Sequence, residues 1–170
     1  MPDLSTPKLS AIVITRDEAA NIGACLDTLA FCDERIVVDC GSSDGTVDIA
    51  RGKGARVAHH DFSGFGPQKN YALSLAASNW VLSIDADERV TPELAQAIKR
   101  AMTDAGAQEG TNGFELPRIS SFCGRPMHHS GWFPDYVLRL FRRGKARFDD
   151  ALVHERVICD GAVKRLDKPL

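Results

Sequence analysis

A chain of 170 residues, 44% hydrophobic and 26% charged, has the length and composition of one ordinary globular domain. A net charge of −2 argues against a general nucleic-acid binder, and no stretch approaches the roughly 20 apolar residues of a membrane span. The five cysteines are odd in number and include no Cys-x-x-Cys pair, which argues against a zinc site or a disulfide framework and favours the cytoplasm.

The first hundred residues alternate between short apolar runs and segments with helical spacing. The apolar runs predict buried strands at Leu9–Ile14, Arg35–Asp39, Ala55–His59 and Trp80–Ile84. The segments between and after them predict helices at Ile22–Leu29, Thr46–Arg51, Gln68–Ala77 and from Thr91 to about Met102. This alternation predicts an α/β protein whose open, mostly parallel sheet carries helices on both faces.

Three of these helices have recognisable start signals. Asp44 is placed to cap the helix that begins at Thr46, and Pro67 is placed at the start of the third helix. Thr91 is the expected N-cap of the fourth helix, with Pro92 at its first position.

Beyond Ala105 the pattern is less regular. It predicts a polar loop at Gly106–Gly113 and strands at Gly113–Ile119, Val137–Phe141 and Ala151–Ile158. The Gly, Pro, His and aromatic residues of Phe122–Pro134 suit a shaped pocket or an acceptor loop. The late basic residues favour either a phosphate- or membrane-binding patch or a solvated loop; they are Arg139, Arg142, Arg143, Lys145 and Arg147.

Polar residues follow three of the predicted strands at their carboxyl ends. The clusters are Thr15-Arg16-Asp17-Glu18, Asp39–Asp44 and Asp85-Ala86-Asp87-Glu88. In open α/β sheets, ligands bind in the crevice outside the carboxyl ends of the strands. We therefore expect a functional site at this edge of the sheet.

Asp85 and Asp87 form the strongest local signal. Two carboxylates two positions apart, directly after a buried strand, suit a hard divalent cation such as Mg²⁺ or Mn²⁺. Such a cation would neutralise a leaving diphosphate. The alternative interpretation of Asp-x-Asp is a polar turn.

Asp39, at the tip of the second strand, is suited to accept hydrogen bonds from a nucleoside, because the small residues after it allow a close approach. Two alternatives remain open. Asp39 caps a turn, or the segment is the methyl-donor loop of a Rossmann methyltransferase. Asp44 is interpreted as structural.

Several segments together resemble the family-two glycosyltransferases, and most of all the bacterial enzymes that glycosylate the lipopolysaccharide inner core. The segments are Leu9–Ile22, Val37–Thr46, Gln68–Glu88, Gly131–Asp135, Arg139–Arg143 and Val153–Glu155. The resemblance covers nearly the whole chain. It implies a GT-A fold, a nucleotide-diphosphate sugar donor and inversion at the anomeric carbon.

The resemblance also implies roles for individual residues. Thr15, Glu18 and Asp39 would hold the nucleoside, with Arg16 and Lys69 also on the donor side, and Arg139 is suited to bidentate contact with donor or acceptor phosphates. Asp85 would lie near the ribose and the metal, Asp87 would be the principal metal ligand, and His154 would contact the metal or the diphosphate. For Lys69 and Arg139 the alternative is a solvated surface position, and for His154 a structural role.

An inverting transfer needs a base that deprotonates the acceptor hydroxyl. In the family an acidic residue precedes a hydrophobic-arginine segment, and Asp135 occupies the comparable place. Glu155 is the second candidate. Asp135 has two structural alternatives, a helix cap or a partner for Arg139.

We expect one GT-A domain over residues 1–170, with a nucleotide-sugar-binding half (1–105) and an acceptor-side half (106–170) that is shortened at its C-terminus relative to the family. The predicted partners are a nucleotide-diphosphate sugar and a glycan or glycolipid acceptor such as the lipopolysaccharide core, with no nucleic acid. The predicted location is the cytoplasm, with peripheral contact at the inner face of the membrane.

Two other functions make different demands on the sequence. A sugar-phosphate nucleotidyltransferase needs a Gly-rich loop after the first strand, and the chain has no glycine there until Gly23. A non-catalytic nucleotide-sugar-binding module, or a truncated remnant of an enzyme, remains the alternative to a working transferase.

Overall fold

The fold of the chain comes from a computed structural model. It describes residues 7–107, 110–118, 121–122, 125–126, 135–150 and 155–170.

The first half forms the alternating pattern that the sequence predicts. Its elements are β1 (Leu9–Thr15), α1 (Ile22–Thr28), β2 (Glu34–Asp39), α2 (Thr46–Gly52), β3 (Arg56–His59), α3 (Phe65–Leu75), β4 (Trp80–Ser83) and α4 (Pro92–Ala107). Strand β1 pairs in parallel with β2 on one side and with β4 on the other, and β3 extends the sheet beyond β2. The predicted parallel arrangement of the four strands is confirmed.

The second half adds strands to the same sheet. Its elements are β5 (Thr111–Arg118), β6 (Ser121–Phe122), β7 (Arg125–Pro126), β8 (Asp135–Arg142), β9 (Ala146–Phe148), β10 (Val157–Cys159) and β11 (Ala162–Arg165). The seven-stranded order is β11-β5-β8-β4-β1-β2-β3. Strand β8 runs antiparallel between β4 and β5, whereas the other pairings in this sheet are parallel. The α/β class with a mostly parallel sheet is confirmed.

The sheet is covered on both faces because successive side chains of a strand point to opposite sides. On β1, Leu9 and Val13 belong to the core cluster shared with α1 and α4. Ile12 belongs to the other cluster, which includes Ala72 of α3. The continuous apolar run of β1 is therefore explained by burial on both faces.

Helix α3 differs from its predicted bounds at both ends. It begins at Phe65, so Pro67 lies in the first turn, where the backbone N–H groups have no intrahelical partner and a proline is tolerated. It ends at Leu75 because Ala76 is extended. The next backbone N–H, that of Ala77, donates to the Glu34 carboxylate at 3.1 Å.

Helix α4 continues to Ala107 and β5 begins at Thr111, so the predicted loop at Gly106–Gly113 is wrong at both ends, and residues 108–109 lie outside the described residues. The guanidinium of Arg142 donates to the carbonyl of Ala105 at 2.9 Å and so satisfies one of the carbonyls at the end of the helix. At the other end Thr91 accepts from the Leu94 N–H at 3.2 Å, as predicted. Asp44 also binds the start of its helix, accepting from the Thr46 N–H at 3.1 Å, although Gly45 is the N-cap residue.

The later strands also depart from their predicted bounds. Strand β5 begins at Thr111, two residues before the predicted start. Of the predicted strand at Ala151–Ile158, only Val157 and Ile158 are in a strand, which continues to Cys159, and residues 151–154 lie outside the described residues. Most of the segment Phe122–Pro134 also lies outside them.

The late basic residues differ in their surroundings. Arg139 is only 5% exposed. Arg142 stacks over the Trp80 ring at 4.8 Å and also donates to the Thr111 carbonyl. Arg143, Lys145 and Arg147 are exposed. No helix among the described residues is long and apolar enough to span a membrane, and the four described cysteines are free.

Candidate active site

A cleft of about 1180 Å³ opens where β1 and β4 end and β8 begins. Most of the site residues predicted from the sequence line it: Thr15, Arg16, Glu18, Lys69, Asp85, Asp87, Asp135, Arg139 and Glu155. Asp39 is not among the lining residues, and His154 lies outside the described residues.

The loops after β1 and β2 are joined to each other by side-chain hydrogen bonds. The Asp17 carboxylate accepts from the Ser43 N–H at 2.8 Å, and Ser42 Oγ accepts from the Asp17 N–H at 2.8 Å. Asp44 accepts from the Ala19 N–H at 3.0 Å. Asp17 and Asp44 therefore hold the two loops together, and neither of them lines the cleft.

Asp39 is buried in its own turn. One carboxylate oxygen accepts from the backbone N–H groups of Gly41 and Ser42, both at 2.9 Å, and the other accepts from the Ser42 hydroxyl. Burial alone would raise the pKa of Asp39, but these hydrogen bonds outweigh it and hold the pKa below its ordinary value. The carboxylate thus has the turn-capping role that the sequence left open, and contact with a nucleoside stays a prediction.

Asp85 lies between two cations. Its Oδ1 is 3.0 Å from Lys69 Nζ, and its Oδ2 accepts from Arg139 Nη2 at 2.9 Å. The same Arg139 nitrogen donates to Glu88 Oε1 at 2.7 Å, and Glu88 Oε2 accepts from the Asp85 N–H at 2.8 Å. Lys69 also reaches Glu155 at 2.6 Å. The result is a network of three carboxylates and two cations at the floor of the cleft.

The electrostatics of this network centre on Asp85. Burial raises the pKa of Asp85, but Arg139 and Lys69 more than offset it and hold the pKa well below its ordinary value. Burial raises the pKa of Glu88, and the neighbouring Asp85 adds to that rise despite Arg139. Asp85 is therefore a permanent carboxylate whose charge is already balanced by protein cations.

Asp87 differs from Asp85 in its surroundings. It is exposed, and within the described residues it forms no hydrogen bond or salt bridge. It is two positions beyond Asp85 on the same loop, on the wall of the cleft. Its carboxylate oxygens are free to take a ligand from the solvent side.

Asp135 is the first residue of β8. Its Oδ2 accepts from Arg118 Nη2 at 2.7 Å, across the register pair that joins β5 and β8. Asp135 and Arg139 both line the cleft from β8, and the register between β5 and β8 shifts at Arg139, which has no partner residue on β5. The partner of Asp135 is Arg118, not Arg139, and no part of β8 is helical, so both structural alternatives for Asp135 are wrong.

Three buried side-chain atoms of the described residues have no hydrogen-bond partner: Thr15 Oγ1, Arg118 Nε and Arg139 Nε. All three residues line the cleft. Unpartnered buried polar groups are costly and are concentrated at functional sites. Their position marks the cleft as a place built for a polar ligand.

The carboxylates of the cleft fit a divalent cation only if water and substrate phosphates supply its remaining ligands. Among the described residues, no three His, Cys, Asp or Glu side chains converge on one point. Mg²⁺ commonly binds through one or two carboxylates, with water and substrate phosphates completing its shell. Asp87, with Asp85 beside it, meets that requirement.

Comparison with known families decides the family of the chain. A family model described as Glycosyl transferase family 2 matches residues 10–157, a range that includes every residue lining the cleft. The chain belongs to glycosyl transferase family 2.

Relatives within the family include a lipopolysaccharide enzyme. LpsC of Rhizobium meliloti (strain 1021), a lipopolysaccharide core biosynthesis glycosyltransferase, is 32% identical over 166 residues. The match covers 91% of this chain and 58% of LpsC, so the chain spans little more than half the length of that relative.

Solved glycosyltransferase structures share the GT-A fold. Residues 1–349 of S. aureus TarS, in complex with UDP-GlcNAc, superpose with a TM-score of 0.57 at 27% identity, covering 72% of this chain and 37% of that one. Mannosyl-3-phosphoglycerate synthase from Rubrobacter xylanophilus gives 0.57 at 27% identity, covering 66% and 40%.

Some cleft residues of this family-two chain were not singled out from the sequence. Arg118 contacts Asp135 only because β5 and β8 are paired, which no local pattern predicts. Phe62 and Phe65 also line the cleft. Phe62 precedes helix α3 and Phe65 is its first residue, whereas the sequence predicts that this helix begins at Gln68. Arg118 follows the buried Phe114 and Leu116 at the same two-residue spacing, so the local pattern of β5 predicts a further residue on their face and gives no sign of a functional role.

Proposed function

We propose that this chain is the nucleotide-sugar-binding and catalytic part of an inverting, metal-dependent glycosyltransferase. The donor is a nucleotide-diphosphate sugar, and the cofactor is Mg²⁺ or Mn²⁺. The acceptor is an envelope glycan or glycolipid such as the lipopolysaccharide core, at the cytoplasmic face of the membrane. The name of LpsC supports this acceptor class, and the UDP-GlcNAc bound to TarS supports the donor class.

The observation that carries the proposal is the contrast between Asp85 and Asp87. Lys69 and Arg139 hold Asp85 in place, while Asp87 is exposed in the cleft without a partner among the described residues. A divalent cation held by Asp87, with Asp85 beside it, would neutralise the charge on a leaving diphosphate. Lys69 and Arg139 give the donor phosphates two further cations nearby.

We assign Asp135 as the base. Its carboxylate takes the proton of the acceptor hydroxyl as that oxygen forms a bond to the anomeric carbon. The bond from this carbon to the nucleoside diphosphate breaks on the opposite face, and the leaving group departs with the bonding pair. Arg118 orients Asp135 at 2.7 Å. Glu155 is the weaker candidate because it is mostly buried and paired with Lys69 at 2.6 Å.

Donor binding tests the metal site. A panel of nucleotide sugars, with and without Mn²⁺, should contain one that raises the melting temperature, since a ligand specific to the folded state stabilises it by mass action. Asp87→Asn should abolish the Mn²⁺-dependent part of that rise. Asp104→Asn, an exposed acid on α4, is the matched control and should behave as wild type. A full Mn²⁺-dependent rise in Asp87→Asn would overturn the metal assignment.

Turnover with a lipid-linked or core oligosaccharide acceptor tests the base. Asp135→Asn should keep donor affinity and lose transfer by roughly 10²- to 10⁴-fold, the usual contribution of general base catalysis. Glu155→Gln should keep more of the activity. The reverse result would move the base to Glu155. Binding of donor without any transfer in the wild type would identify a non-catalytic module.

A further inference from the structure

Two phenylalanines form an exposed pair on the wall of the cleft. Phe62 and Phe65 are 46% and 40% exposed, and their rings pack edge to face with centroids 5.1 Å apart. Both line the cleft. Ile158 and Val163, the other large hydrophobic side chains that are exposed among the described residues, are not part of its lining.

The pair is held next to the end of β2. The His60 N–H donates to the Asp39 carbonyl at 3.0 Å. The side-chain amide of Gln68, on α3, holds His60 in place. Gln68 Oε1 lies 2.8 Å from His60 Nδ1, and Gln68 Nε2 donates to the His60 carbonyl at 3.1 Å. Phe62 and Phe65 lie between these two anchored residues. The aromatic pair is therefore part of an ordered loop on the β2–β3 side of the cleft.

Helix α3 sets the spacing between the aromatic pair and the charged floor. Phe65 and Lys69 are four residues apart and lie on the same side of the helix, about 6 Å along its axis. Lys69 Nζ points to Asp85 at 3.0 Å. The cleft thus presents an apolar aromatic surface roughly one helical turn from the charged network of Lys69, Asp85 and Arg139.

We propose that Phe62 and Phe65 form the stacking surface for the nucleobase of the donor. A planar ring joined through a short linker to a diphosphate matches an aromatic surface one turn away from Lys69. Stacking on aromatic side chains recognises the faces of a base, and every base has such faces. This inference rests on the proposed function, and it adds the residues that bind the base end of the donor.

Isothermal titration of the whole chain tests the pair. UDP, GDP and ADP are titrated in the presence of Mn²⁺, and the tightest binder is then used for the variants. Phe62→Ala and Phe65→Ala should each weaken its binding by roughly 5- to 150-fold, as expected for the loss of base stacking. Inorganic pyrophosphate, which has no base, should bind the variants and the wild type equally.

Two sets of controls complete the design. Ile158→Ala and Val163→Ala remove similarly exposed side chains away from the cleft and should leave nucleotide affinity unchanged. Phe62→Tyr and Phe65→Tyr keep a ring and should retain most of the affinity.

The possible failures are distinguishable. Unchanged nucleotide affinity in both alanine variants would overturn the stacking surface while leaving the proposed function intact. Equal losses for the nucleotide and for pyrophosphate would also overturn it, because the effect would then be a general change of the cleft. A wild-type chain that binds none of the three nucleotides would overturn the proposed function itself.

Discussion

Arg139 is the side chain that brings the acidic residues of the β4–α4 loop together. It is 5% exposed and donates to Asp85 and to Glu88 at 2.9 and 2.7 Å. Asp85 and Glu88 outweigh the effect of burial and raise the pKa of Arg139 above its ordinary value, so this cation is permanent. Without it, two mostly buried carboxylates would face each other with only Lys69 nearby.

Replacing Arg139 tests this dependence. Arg139→Met should lower the free energy of unfolding by about 3–5 kcal/mol, since removing one partner of a buried ion pair leaves uncompensated charge. Adding Glu88→Gln to that variant should recover part of the loss, because it removes one of the two facing carboxylates. Urea denaturation measures both effects. Arg143→Met, which removes an exposed arginine bound to the Ser78 carbonyl, is the control and should cost much less. Equal costs for the two arginines would contradict the role of Arg139.

At the scale of single residues, the sequence predicted most of the charged residues that line the cleft but not how they pair. Asp85 and Asp87 follow a buried strand, and that local pattern alone placed them at the correct edge of the sheet. The pairing of Asp85 with Arg139 spans 54 residues and depends on β8 lying antiparallel beside β4. The same long-range pairing distinguishes Asp85 from Asp87, so their different surroundings could not be predicted.

Elements of the two halves are joined by a clamp between α3 and β9. The side-chain amide of Asn70 donates to the Phe148 carbonyl and accepts from the Phe148 N–H, both at 2.9 Å. Lys69, the preceding residue, lies 5.8 Å from the centre of the Phe148 ring. Two consecutive residues of α3 thus fix the strand that leads towards Glu155.

Asn70→Ala should leave both backbone groups of Phe148 without their partner and cost about 1–3 kcal/mol. It should also speed hydrogen exchange of the Phe148 amide specifically. Ser74→Ala, which removes an exposed hydroxyl bound within the same helix, is the matched control and should change neither measurement appreciably. Unchanged protection of the Phe148 amide in Asn70→Ala would contradict the clamp.

The turn after β2 makes a second prediction, with a pH dependence. Asp39→Asn replaces a carboxylate oxygen that accepts hydrogen bonds with an amide that donates, so at pH 7 it should cost about 1–3 kcal/mol. The pKa of Asp39 in the fold lies below its ordinary 3.8, so the carboxylate stabilises the fold above about that pH. This stabilisation is lost as the pH falls through the lowered pKa.

The difference in stability between wild type and Asp39→Asn should therefore narrow as the pH is lowered from 5 towards 3. Urea denaturation across that range measures it, with Asp104→Asn as the control for an exposed acid. A difference that stays constant with pH would show that the charge on Asp39 contributes nothing to the turn.

The helices and strands that the sequence predicted correctly are those that can be recognised from their local residue pattern alone. Buried runs such as Leu9–Ile14 and a cap such as Thr91 need no distant partner to be recognised. Strands β9 and β11 have three and four residues and exist through pairing with β10 and β5, so no local period reveals them. The extension of α4 likewise depends on Arg142, which arrives from β8.

At the scale of the whole molecule, one sheet unites residues from before and after residue 105. Strand β8 lies between β4 and β5, and Arg142 of β8 stacks over Trp80 of β4. Trp80 is 1% exposed and also contacts the ring of Phe114 on β5, with centroids 5.8 Å apart. The core around Trp80 therefore contains side chains from both halves of the chain, and neither half can bury this tryptophan alone.

We therefore predict that residues 1–105 and 106–170 unfold together as a single domain. The chain has two tryptophans, so Trp132→Phe leaves Trp80 as the only fluorescent tryptophan, in the centre of the sheet. In urea, the Trp80 fluorescence and the far-ultraviolet circular dichroism of this variant should change with the same midpoint and slope, as in a two-state transition. Trp132→Phe should unfold at the same midpoint as the wild type by circular dichroism, which controls for the substitution. If the circular dichroism retained a second transition after Trp80 had become exposed, the half containing the four parallel strands would fold on its own. The site would then be assembled between two separately stable units.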